Sequence, residues 1–152
     1  MKTFYSLLVL FFFHCLSADA ITYTWNVPSG DWSLNTNWSP NGVPGDGDDV
    51  TVNNGGTVTL GVVDAMIASM TISDGSLIGS YNISLTGALN WSGGTNGGSG
   101  TMKVALSATI TNAPTLDTRS LTLNGGGTIA GGFNTSNGAN LIVPMGKTLT
   151  CT

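Results

Sequence analysis

Four apolar residues, Ile83, Met102, Leu121 and Leu141, each open a short alternation of apolar and polar residues, and they lie 19, 19 and 20 residues apart. Alternation of period two marks a strand with one buried face. Its return at a near-constant interval marks a chain wound into stacked coils, because one such unit cannot bury its apolar edge alone. The spacing therefore predicts an all-β fold, a right-handed parallel β-helix (β-solenoid) with an N-terminal cap. The alternative is a β-sandwich built from the same strands. Inward positions are Ile83, Leu85, Met102, Val104, Leu106, Leu121, Leu123, Leu141 and Val143. Ser84, Lys103, Ala105, Thr122 and Ile142 lie between them and face outward.

Composition agrees with coils rather than helices. The chain has no Glu and no Gln, and it has 22 Gly. Runs such as 57–60, 69–72 and 120–123 alternate Thr or Ser with Val, Leu, Ile or Met, and Gly-Asn clusters at 53–56, 93–98 and 124–127 separate them. Thr and Val favour strands, while Gly and Asn reach positive φ at low cost. The formal net charge is −4 with four Lys and Arg in all. That excludes nucleic acid as a partner, since phosphate binding needs clustered cations.

Residues 1–20, MKTFYSLLVLFFFHCLSADA, combine an early Lys2, an apolar run from Phe4 to Phe13 and a small-x-small ending. They read as a secretory signal peptide cleaved after Ala20. No later segment is apolar enough for a membrane span. The expected division is 1–20 signal peptide, 21–56 N-terminal cap with the first strand, and 57–152 coils of about twenty residues, truncated at the C-terminus. Cys151 is the one cysteine past the signal. It is expected to pair with sequence beyond Thr152 or with another chain.

Residues 31–52, DWSLNTNWSPNGVPGDGDDVTV, differ from the rest in carrying two Trp, two Pro and four Asp. With Trp25, Gly30, Asp31, Trp32, Ser33, Asn37, Trp38, Gly42, Pro44 and the strand from Asp48 to Val52, the segment resembles the start of large secreted β-helix proteins, the autotransporter-like adhesins and related surface repeat proteins. A weaker resemblance, through Pro44, Gly45 and Asp46, is to the G8 domain. The resemblance implies that the segment is a cap. The same follows from physics: an uncapped first coil exposes apolar side chains and open strand edges, three tryptophans would cover it, and Pro40 and Pro44 would stop the ladder.

Several residues carry candidate chemistry. Trp32, Trp38 and Trp91 would form a sugar-stacking platform if exposed, although Trp is more often packed inside. Asp46, Asp48 and Asp49 offer carboxylates for calcium, without the EF-hand or nonapeptide spacing. Asn82, Asn90 and Asn134 open glycosylation sequons in a eukaryotic host. Asp117 and Arg119, two apart, are expected to share a strand face as a surface ion pair. Thr-x-Thr pairs at 22/24, 57/59, 109/111 and 148/150 would make a flat face like that of ice-binding solenoids if they stacked. They do not keep the twenty-residue period, so β-propensity alone is the expected reason for them.

Catalysis is not expected in this segment. The one His, His14, lies in the signal, which leaves no His as general base, and no GxSxG is present. No cofactor is expected, calcium excepted. The reading is a secreted structural or adhesive β-helix protein of the cell surface or matrix, with an extracellular protein or polysaccharide as partner. The alternative is the N-terminal part of a carbohydrate-active β-helix protein.

Overall fold

A computed structural model describes residues 19–152. The expected signal peptide, with His14 and Cys15, lies almost wholly outside the described residues. The chain is a parallel β-solenoid of about five turns with no α-helix among the described residues. Each full coil contributes one short strand to each of three sheets, of eight, six and five strands. Pairing is parallel throughout, with one exception at the N-terminal edge, where Thr24 and Trp25 face Ser39 and Trp38 antiparallel. Parallel pairing of strands one coil apart excludes the sandwich.

The interval seen in the sequence is the rise of one coil. Ala65, Ile83, Met102, Leu121 and Leu141 stand directly above one another in the third sheet. Ile67, Leu85, Val104 and Leu123 form a second inward column beside them. In the first sheet Val52, Ile72, Trp91, Ile110 and Ile129 stack in the same way. Like side chains thus lie on like side chains, and the core is a set of apolar columns along the rod.

Glycine sits where the chain turns between sheets. Gly79 has φ 114, and a Cβ there would lie 2.3 Å from the Leu60 carbonyl oxygen of the preceding coil. Only a residue without a side chain lets adjacent turns approach that closely.

Three expectations need correction. Leu106 is 59% exposed, because its strand, Thr101–Val104, ends before it and residues 105–107 turn outward. The coils begin at Thr22 rather than Thr57: Thr22–Trp25 and Ser29–Asp31 already pair in parallel with Asp49–Val52 and Thr57–Leu60. What replaces a strand of the third sheet in this first coil is the loop 32–48. Leu141 and Val143 are only half-buried, since no described coil lies above them.

One core position breaks the pattern. The inward column of the second sheet reads Val58, Leu77, Asn96, Leu116. Asn96 is fully buried, donates Nδ2 to Met102 Sδ at 3.2 Å, and leaves Oδ1 without a partner. A buried orphan acceptor costs about 1–3 kcal/mol. Asn96→Leu continues the column and is expected to raise the unfolding free energy by about 1–2 kcal/mol, read from the urea midpoint at constant slope. A lower midpoint would show that the amide contributes more than its lost solvation.

Candidate functional site

The Trp-rich segment is built around its own side chains. Trp38 packs edge-on against Trp25 at 4.9 Å and against Trp32 at 4.8 Å between ring centroids. Its Nε1 donates to the Trp32 carbonyl at 2.8 Å. The strand Trp38–Ser39 lies on the outer edge of the first sheet, and Pro40, with no N–H, follows it. That edge is closed by antiparallel pairing, and the loop is held by Asp31, whose Oδ1 accepts from Ser33 N at 2.8 Å and Ser33 Oγ at 2.6 Å.

The tryptophans are therefore not a sugar platform. Trp32, Trp38 and Trp91 are 2%, 0% and 1% exposed. A sugar ring needs an open aromatic face, and here all three faces lie in the core. Trp91 stands in the Ile72–Ile110 column, meets Phe133 edge-on at 5.7 Å and donates Nε1 to the Gly93 carbonyl at 2.8 Å.

The three aspartates do not converge on one point. Asp48 Oδ1 accepts from Ile21 N at 3.1 Å, and its Oδ2 accepts from Gly45 N at 2.9 Å. Asp49 Oδ1 accepts from Ser69 Oγ at 2.5 Å, one coil up. Asp46 is exposed. Among the described residues no three carboxylate, His or Cys groups are arranged to hold a metal ion. Calcium needs six to eight oxygens at once, and this geometry does not gather them.

Of the sequon residues, Asn82 is bonded from both ends of its amide: Nδ2 donates to Asp64 Oδ2 at 3.1 Å, and Oδ1 accepts from Thr101 N at 2.9 Å and Thr101 Oγ1 at 2.8 Å. Asn134 Nδ2 donates to the Ala113 carbonyl at 2.9 Å. Asn90 is exposed on the outer face of the first sheet. Cys151 is free and exposed. No helix among the described residues is long and apolar enough to cross a membrane.

Asp117 and Arg119 do not pair on the surface. Thr118 between them has φ 64, so the chain turns a corner there and the two side chains part. Arg119 is fully buried. Its Nε donates to the Gly97 carbonyl at 2.7 Å, one terminal nitrogen to those of Tyr81 and Thr101 at 3.1 and 3.4 Å, and the other to that of Gly79 at 3.0 Å. Burial pushes its pKa down to about 10, which leaves it charged at neutral pH. The guanidinium ties its own coil to the two coils before it.

Asp117 stays outside, and its Oδ1 accepts from Asn137 Nδ2 at 2.6 Å and Ser136 Oγ at 2.9 Å. These bonds, Asn137 first, hold its pKa below 3.8. The Asn82 backbone N–H and then its side chain do the same for Asp64. A depressed carboxylate pKa adds stability that is whole above the unfolded value and is lost as pH falls through the folded one. The thermal midpoint is thus expected to hold from pH 7 to pH 5 and to drop below 3.8, with a shallower drop in the double variant Asp64→Asn, Asp117→Asn. An unchanged acid profile in that variant would contradict the assignment.

The Thr-x-Thr pairs do not stack as pairs, since Thr57 and Thr59 lie in the second sheet against Ser76 and Ile78, and Thr22 and Thr111 face Asp49 and Ala130, but single threonines do form a row. Across the first sheet the register runs Thr24, Thr51, Thr71, Asn90, Thr109, Thr128, Thr150. The successive intervals are 27, 20, 19, 19, 19 and 22 residues. The longer first interval holds the Trp-rich loop, and Asn90 interrupts the threonines among the regular intervals.

Comparison with protein-family models, with curated proteins and with solved structures gives no match in any of the three. The class defined is that of a parallel β-solenoid. The resemblance to adhesins and to the G8 domain rests on the motif residues alone.

Proposed function

We propose that the chain is a structural or adhesive part of a secreted protein, acting as a rod at the cell surface or in the extracellular matrix. The observation that carries the reading is the unbroken register of the coils through all three sheets. Such a stack is stiff along its axis, and its outward residues form long faces rather than a cleft. Small polar residues dominate those faces, which suits contact with an extended extracellular protein or polysaccharide.

The test uses the chain produced in a eukaryotic secretory host and immobilised on beads. Secretion with a mature terminus at Ile21 is expected, followed by saturable binding to a matrix protein or an insoluble polysaccharide that stays intact. Retention inside the cell contradicts the reading. Release of reducing ends from a polysaccharide also contradicts it, and assigns the chain to the carbohydrate-active alternative.

A further inference from the structure

We propose that the outward face of the first sheet binds ice through its row of threonines. The inference stands apart from the adhesive reading. Six of the seven rungs from Thr24 to Thr150 are threonine and the seventh is Asn90. Neighbouring strands lie about 4.8 Å apart, so the row extends about 29 Å along the rod. Each threonine rung brings a hydroxyl and a methyl to the outward face, half-buried at Thr24, Thr51 and Thr71 and exposed at Thr109, Thr128 and Thr150.

Two further features mark this face. Among the described residues the threonine hydroxyls that bond inside the protein as donors are those of Thr86, Thr101 and Thr118, none of which is in the row. The row's hydroxyls are thus left to outside water. Within the strands, the outward positions beside the row are small or uncharged, as at Ser69, Thr111 and Ala130, and the one acid, Asp49, is bonded to Ser69. By contrast the second sheet presents Asp117 and Ile78 outward, and the third presents Lys103, Met66 and Ile142.

The chemistry favours a water lattice over a sugar chain. Sugar recognition leans on open aromatic faces, and this sheet turns Trp25 and Trp91 inward. Ice presents a repeating array of oxygens, and a repeating array of hydroxyls meets it at many points at once. Each contact is weak, but contacts on one rigid body add. Threonine is stiff about χ1, and the sheet fixes its backbone, so little freedom is lost on binding. The methyls order the water between the hydroxyls at no cost in buried charge.

The experiment uses the secreted chain made without N-glycans, since Asn90 lies in the row. Thermal hysteresis and partition into a growing ice front are measured for the parent, for Thr109→Lys in mid-row and for Thr122→Lys on the third sheet. The parent and Thr122→Lys are expected to show equal hysteresis, and Thr109→Lys about tenfold less, because a cation splits the row into short halves. Circular dichroism and the thermal midpoint of Thr109→Lys should match the parent, since the position is exposed. A parent without hysteresis or ice partition overturns the proposal, as does full activity in Thr109→Lys. Binding to cellulose or chitin that Thr109→Lys abolishes, with no effect on ice, overturns it too and gives the face to polysaccharide.

Discussion

Arg119→Leu is expected to lower the unfolding free energy by about 3–5 kcal/mol, among the largest effects of any single substitution in this chain. The guanidinium is buried, has no carboxylate partner among the described residues and bonds to four carbonyls: Gly79, Tyr81, Gly97 and Thr101. Leucine has the right bulk and adds apolar burial. It removes the guanidinium's bond from all four oxygens, of which Gly79 keeps only a 3.5 Å bond from Gly100 N, at about 1–3 kcal/mol for each that is left without a partner. Arg119→Lys keeps the charge but gives three donors from one point in place of a planar fork, so it recovers only part of the loss. For a domain of this size the leucine change is expected to lower the thermal midpoint by about 10 °C. A fall of less than about 1 kcal/mol in urea unfolding would mean that the side chain does not sit among those carbonyls.

Trp38→Ala is the second large effect, expected at about 3–5 kcal/mol. Trp38 touches both other tryptophans of the cap, and its indole N–H satisfies the Trp32 carbonyl. Its removal leaves a cavity beneath the closed edge of the first sheet. Trp38→Phe fills most of that cavity and loses the hydrogen bond, so about 1 kcal/mol of further cost should remain after the volume is restored. Unfolding followed by the fluorescence of the other tryptophans reads both variants. Equal stability of Trp38→Ala and the parent would show that the segment is not packed against the solenoid.

The fold was legible because coil stacking forces like residues to recur. Ile83, Met102, Leu121 and Leu141 mark the third sheet from sequence alone, and the structure places them in one column. The other two sheets were harder to see. Most of their strands run to three or four residues, and a gap that is most often three residues separates each from the next, so the alternation restarts before it becomes a pattern. The loop 32–48 lengthens the first interval, and Asn90 interrupts the threonines of the regular part, so the row does not show as a repeated Thr-x-Thr pair.

Side-chain direction near corners was not legible. Asp117 and Arg119 would share a face on a straight strand, and one residue of positive φ sends them to opposite sides. The general preference of tryptophan for the interior says nothing of each residue: exposure follows from what the loop packs against, which spacing does not report. The same holds for the aspartates, whose oxygens went to backbone N–H groups and to Ser69 rather than toward one another.

The most direct test of the solenoid is a methyl NOE spectrum of the chain with labelled Thr and Ile. Parallel coils predict contacts from Thr51 to Thr71 and from Thr109 to Thr128, with Ile110 touching Ile129. In each case the partner lies one coil further on and the register keeps its direction along the strand. Contacts whose register runs backward, so that residues after Thr109 meet residues before Thr128, would mean antiparallel pairing and would contradict the solenoid.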